Sequence, residues 1–163
     1  MSRVLNELQI IQNPALGAYV IWRYGLSFQG EAGQPATLPL AFLVLPLLLH
    51  RSTLELIGST RRVSGLALFA AKIGECRENL LAVHHRALAL RRLSLQSIAV
   101  GVNCRLLTLN YAAVTLRANT HHPPINLTLP ERIRSFTSAA DKVGYWFSKL
   151  EPYQIASTLA VEF

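Results

Sequence analysis

The sequence predicts a mainly helical fold that carries one small β-hairpin, and three observations lead there. Apolar residues recur at helical spacing in separate stretches, Leu16-Tyr19-Val20-Tyr24, Leu80-Val83-Ala87-Leu90 and Ala139-Ala140-Val143-Trp146-Phe147-Leu150. Two β-prone runs, Cys104 to Leu109 and Ala112 to Arg117, flank a turn at Asn110-Tyr111. Caps and breakers, among them Asn13-Pro14, Gly58, Gly74 and Pro152, punctuate the chain where the periodicity changes.

Taken in order, Asn13 caps a first helix and Pro14 occupies its first position, where the missing N–H costs nothing. Gly30, Gly33 and Pro35 then open a loop into the apolar run Leu38 to Leu49, in which Pro46 predicts a break or kink. A short helix is expected from Ser52 as cap to Ile57, ended by Gly58, and another from Val63 to Ile73, closed by Gly74. From Glu78 a helix runs to a basic turn at Arg91-Arg92. Ser94 then caps a second helix whose stripe is Leu95, Ile98, Ala99 and Val102. Helix, turn, helix and hairpin in that order describe a winged-helix-like core, with N- and C-terminal helices flanking it. Ala118 to Pro130 reads as an extended connector through His121-His122-Pro123-Pro124. The last helix lies within about 131–150, with its apolar face from Ser138 onward, and Pro152 ends it before a short apolar tail.

At 163 residues the chain fits one domain, 1–163, with the winged-helix-like core over about 53–117. Only 15% of its residues are charged, against roughly 25% in typical soluble domains. Such a surface is expected to be covered in part by partners. The net charge of +7 comes from sixteen Lys and Arg, thirteen of them Arg, against nine acids of which only Asp141 is an aspartate. Arginine forks suit phosphates and carboxylates alike, so the charge points to DNA or to an acidic partner without choosing.

Two distant cysteines, Cys76 and Cys104, match no metal spacing and read as reduced, buried thiols of a cytoplasmic protein. The N-terminus shows Arg3 but no apolar run of signal-peptide length, so the Asn126-Leu127-Thr128 sequon carries no expected meaning. Leu38 to Leu49 is twelve residues long, short of the roughly twenty that a spanning helix needs. Neighbouring histidines on a helix project about 100° apart, so neither His84-His85 nor His121-His122 forms a natural ligand face. His50 reads as a helix-end or core hydrogen-bonding residue. There is no Gly-x-Ser-x-Gly elbow and no Gly-x-x-x-x-Gly-Lys loop. The reading is a non-enzyme with no catalytic residue, cofactor or metal.

Four blocks, in order, resemble one family. They are Asn13-Pro14-Ala15-Leu16, the run Leu40 to His50 followed by Ser52-Thr53, the helix pair Arg86 to Val102, and Asp141-Lys142-Val143-Gly144-Tyr145-Trp146-Phe147. The chain resembles the middle component of bacterial three-component ABC ATPase systems. It departs from the expected pattern at Glu75 to His85 and Asn119 to Thr128. The resemblance implies a subunit that accompanies an SMC-like ABC ATPase and an effector-bearing third component, in a system against phage or other invading DNA.

The residues offer two candidate surfaces. Arg86, Arg91, Arg92 and Arg105 flank the helix pair, where they could meet DNA phosphates or an acidic partner. Phe42, Leu45, Leu47, Leu48 and Trp146 are apolar docking candidates, with burial in the core as the competing reading. The second helix offers Gln96 and little else for reading bases, which favours a structural adaptor in a hetero-oligomer. A winged-helix DNA-binding transcriptional regulator is the alternative.

Overall fold

The computed structural model describes residues 12–120 and 130–163. Helices take up 73% of these residues, and the remaining order is a small three-stranded antiparallel sheet. The elements are α1 (Pro14–Ala32), β1 (Ala36–Thr37), α2 (Leu38–Leu48), α3 (Arg51–Ser59), a 3-10 turn (Arg62–Ser64), α4 (Gly65–Gly74), α5 (Arg77–Ala89), α6 (Arg91–Asn103), β2 (Leu107–Asn110), β3 (Thr115–Ala118), α7 (Glu131–Ser148) and α8 (Pro152–Leu159).

The first helix begins as its sequence dictates. The Asn13 side-chain oxygen accepts the Ala15 N–H at 2.9 Å, and Pro14 is the first helical residue. The helix then runs through Gly30 and stops only at Gly33, whose φ of 70° lets its N–H close on the Gln29 carbonyl. Val20, Ile21, Tyr24 and Phe28 face inward, and α6, α7 and β3 all pack on this one helix. Helix α2 completes the core: Leu40, Ala41 and every residue from Leu43 to Leu48 are buried.

All three contacts require a glycine: on α1, a Cβ on Gly25 would stand 2.9 Å from Ala118 Cβ of β3. A Cβ on Gly144 of α7 would stand 2.5 Å from the Tyr24 carbonyl oxygen and 2.8 Å from Ser27 Cβ on α1. One on Gly17 of α1 would overlap the Ser97 hydroxyl of α6. The backbones therefore approach more closely than two ordinary apolar side chains allow.

The sheet has the order β1-β3-β2, with Ala36 opposite Leu116 and Leu107 opposite Ala118. Helix α1 holds its middle strand directly. The Gln29 side chain donates to the Ala118 carbonyl at 3.0 Å and accepts the Ala118 N–H at 2.5 Å. Trp22 Nε1 donates to the Asn119 carbonyl at 2.8 Å.

The expected order of helix, helix and hairpin is present, with several shifts. The turn between α5 and α6 is Leu90 alone, so Arg91 and Arg92 open α6 instead of forming the turn. Ser94 is consequently no cap; it lies inside α6, fully buried. The buried face of α6 is Leu93, Ser94, Ser97, Ile98 and Gly101, while Leu95, Ala99 and Val102 point outward. Ser94 and Ser97 share the inner face with Leu93 and Ile98, and Ser97 stands where Gly17 of α1 comes so close that a larger side chain would not fit.

Other boundaries move for local reasons. Helix α2 continues past Pro46 for two residues, and the chain then bends by 99° into α3. His50, not Ser52, stands at the N-cap of α3, which passes through Gly58 to Ser59. Val63 belongs to the 3-10 turn and is exposed. Asn110 joins β2, and the hairpin turn is Tyr111 to Val114, where the Asn110 side chain accepts the Ala113 N–H at 3.0 Å. The two-residue strand β1 carries no periodic signal and was not expected. Helix α7 ends before Pro152 as expected, but the apolar tail is itself helical: Pro152 is the first residue of α8, whose start is closed by a capping box between Glu151 and Gln154. Cys76 and Cys104 are free but exposed, not buried, since both sit at helix ends. His121, His122 and the Asn126 sequon lie outside the described residues. Among the described residues no single helix is long and apolar enough to cross a membrane.

Replacing Gly144 with alanine should drive a methyl group into the α1 backbone and lower stability by about 1–3 kcal/mol. A urea titration should show a lower midpoint at unchanged slope; an unmoved midpoint would mean that α7 can back away from α1 freely.

Candidate functional site

The most specific sequence block, Asp141 to Phe147, lies on α7, and each of its polar or small residues has a structural partner. Arg23 donates to the Asp141 carboxylate at 2.8 Å, and the Ser27 hydroxyl donates to the Asp141 carbonyl at 2.6 Å. Lys142 reaches across to the end of α3 and donates to the carbonyls of Ile57, Gly58 and Thr60 at 3.1, 2.9 and 3.0 Å. An ammonium there meets the last unpaired carbonyls of a helix and the negative end of its dipole. Lys72 reinforces it, donating to the Ser59 carbonyl at 3.3 Å and the Thr60 hydroxyl at 3.1 Å. Burial holds the Lys142 pKa below the usual lysine value, and the charge of Lys72 adds to the effect.

Trp146 is buried, stacks on Phe69 with ring centres 5.3 Å apart, and donates its indole N–H to the Arg62 carbonyl at 2.8 Å. Phe147 meets Tyr24 edge-on at 5.9 Å. The block thus ties α7 to α1, α3, α4 and the 3-10 turn. It is architectural throughout.

The basic candidates separate. Arg86 is half-buried on α5 and donates to the Thr53 hydroxyl at 3.2 Å. The same hydroxyl lies 2.8 Å from His50 Nδ1. Burial lowers the pKa of both Arg86 and His50, and the charge of Arg86 depresses His50 further. Arg86 therefore belongs to an internal polar cluster more than to a surface. Arg91, Arg92 and Arg105 are exposed, and among the described residues none of the three has an ion-pair partner. They join an outward apolar set that was missed: Leu81, Leu88 and Leu95 are each about half exposed, and Val102 is 37% exposed.

Two grooves flank α6. At its first turn, Arg91 lines a groove of about 320 Å³ with Phe42, Leu43, His84, Leu88 and Val114. At its last turn, Val102 lines one of about 690 Å³ with Arg105, Leu107, Leu109 and Tyr111. The signal that could have exposed this face was the run of small residues Ser94, Ser97 and Gly101, which repeats at helical spacing and competes with Leu95 and Val102 for the inside.

The sequence model of a family described as ABC-three component (ABC-3C) system Middle Component 3 matches residues 1–163. The chain belongs to that family. No curated protein and no solved structure matches it.

For this Middle Component 3 chain the apolar docking candidates divide sharply. Leu45, Leu47, Leu48 and Trp146 are at most 1% exposed and fill the core, because α2 and α7 are enclosed by their neighbours. As surface anchors they are corrected. Phe42 alone of the five is partly exposed, in the groove beside Arg91.

Trp146→Ala should therefore act through the fold, removing the Phe69 stack and the bond to Arg62 at a cost of about 3–5 kcal/mol. The variant should melt well below the parent, and any loss of partner binding should match its unfolded fraction. A parent-like melt with binding abolished would make Trp146 an interface anchor instead.

Proposed function

We propose that this chain is a non-catalytic adaptor that links an SMC-like ABC ATPase to an effector-bearing third component, in a cytoplasmic prokaryotic complex against phage or other invading DNA. Family membership supplies the multi-component ABC setting. The single observation that favours an adaptor is the outward face of α6. A helix that reads bases presents polar side chains to the groove edges, whereas the exposed side of α6 sets Leu95, Ala99 and Val102 among Arg91, Arg92, Gln96 and Asn103, and Leu81 and Leu88 are exposed on α5. Exposed apolar side chains gathered on adjoining elements suit a protein partner.

The α5–α6 pair followed by the β2–β3 hairpin supports the winged-helix reading over about 53–117; strand β1, which completes the sheet in the order β1-β3-β2, comes from outside that range, with α2, α3 and α4 between it and α5. One observation favours a second reading, a DNA-binding regulator. No aspartate or glutamate occurs between Glu78 and Glu131, while the exposed Arg91, Arg92, Arg105 and Arg117 do, with Glu162 the one acid lining the groove beside Arg91. Backbone phosphates would be attracted to such a surface, with binding that falls steeply as salt rises.

Co-expression with an SMC-like ABC ATPase and an effector-bearing component from the same genome tests the adaptor reading. The chain should co-elute with them on size exclusion. Leu95→Glu should abolish co-elution, weakening binding by tenfold or more, on the order of a hot-spot loss, while shifting stability by no more than about 0.5 kcal/mol because the side chain is exposed. Tight, salt-sensitive binding of an operator fragment with no co-elution would favour the regulator.

A further inference from the structure

The sheet order leaves β2 at an edge, and the hydrogen bonds on its inner side fix what that edge presents. Both main-chain groups of Ala118 are taken by Gln29, and the Asn119 N–H goes to the Leu106 carbonyl at 2.8 Å. Leu107 lies opposite Ala118, Thr108 opposite Arg117 and Leu109 opposite Leu116. In an antiparallel ladder the bonded pairs alternate, so Thr108 and Asn110 bond toward β3. The N–H and C=O groups of Leu107 and Leu109 then point outward, and among the described residues they have no backbone partner on that side.

Protein edges are usually blunted by lysine, proline, a bulge or an inward charge. The β2 sequence Leu107-Thr108-Leu109-Asn110 has no charged residue and no proline, and its register with β3 is unbroken. Beside the edge lies the groove of about 690 Å³, with Val102 and the largely exposed Tyr111 as apolar walls and Arg105 as its cation. Arg117 stands across from Thr108, and no acid occurs from Asn79 to Pro130 to oppose either charge.

The geometry points to a docking site for an extended peptide segment of a partner protein, with acidic and apolar residues alternating, which adds a fourth strand along β2. Main-chain bonds to Leu107 and Leu109 hold the segment, its apolar side chains enter the groove between Val102 and Tyr111, and its carboxylates meet Arg105. The edge presents donors and acceptors in alternation. Another strand satisfies both, whereas phosphates only accept and would face the outward carbonyls unfavourably. The inference deepens the adaptor reading and rests on it, naming how one partner component is held.

Amide hydrogen exchange of the full chain, alone and bound to the proposed ATPase and third-component partners, tests it. On assembly the Leu107 and Leu109 amides should exchange more slowly by on the order of tenfold or more, as for amides newly paired in a ladder. Arg105→Asn removes the charge at a position with φ of 59°, which asparagine tolerates. It should weaken assembly by roughly tenfold at low salt and by less at high salt. Tyr111→Ser, at an exposed site, should weaken it as well without lowering the melting temperature. If the complex forms and both amides exchange as in the free chain, the edge proposal fails and the adaptor reading stands. If neither component binds, both fail together. If a short DNA duplex alone slows the two amides, the edge belongs to nucleic acid and the peptide proposal is overturned.

Discussion

Everything in this fold depends on how closely three elements approach α1. Helix α7 reaches it because Gly144 has no side chain to place between the Tyr24 carbonyl and Ser27, and α6 reaches it because Gly17 faces Ser97. At Gly144 the contact is with the α1 backbone itself, so packing there cannot relax by rotating a side chain. Strand β3 reaches it over Gly25, where a Cβ would stand 2.9 Å from Ala118 Cβ, and is held there by hydrogen bonds through Gln29 and Trp22. The part of the chain that carries the β2–β3 hairpin and the C-terminal helices are thus fixed to the same helix, and α2 fills the space that remains with residues Leu43 to Leu48.

This arrangement divides the molecule by role. On α7, the lysine, glycine and tryptophan of the most specific sequence block are all consumed inside the protein: Lys142 by the end of α3, Gly144 by α1, Trp146 by Phe69 and Arg62. Of the other polar side chains in that block, Asp141 is paired with Arg23, and the ring of the partly buried Tyr145 is covered by Arg62 and Lys149. The opposite half has the reverse character. Leu88, Leu95, Val102 and Tyr111 are exposed, Arg91, Arg92 and Arg105 stand beside them, and β2 offers an open edge. A component of a larger assembly needs both, a rigid interior that fixes geometry and a surface that is incomplete alone.

How much of this could be read in the sequence depended on which physical signal each element carries. The caps at Asn13 and Pro14 and the broad apolar face of α7 are local signals, and they placed those helices correctly. The register of α6 was misread because hydrophobicity ranks leucine and valine above serine and glycine. Burial there is decided by the close approach of α1, a tertiary constraint that favours small residues. The same omission sent Leu45, Leu47, Leu48 and Trp146 to a candidate surface, since an apolar stretch looks alike whether a neighbouring helix of the same chain or a partner covers it. Strand β1 went unseen because two residues cannot show a period; its order comes from β3. The outward face of Leu88, Leu95 and Val102 became visible only when the inward one had been settled by packing.

A scan of single substitutions across the chain, scored in parallel for protein abundance and for binding to the proposed ATPase partner, tests this division most directly. Changes at Gly17, Gly144, Lys142 and Trp146 should lower abundance, with binding falling only in proportion. Changes at Leu88, Leu95, Val102 and Tyr111 should leave abundance near the parent level and remove binding. The opposite pattern, with binding lost at full abundance for substitutions on α7 and untouched by those on α6, would contradict the account and place the docking surface on the C-terminal helix.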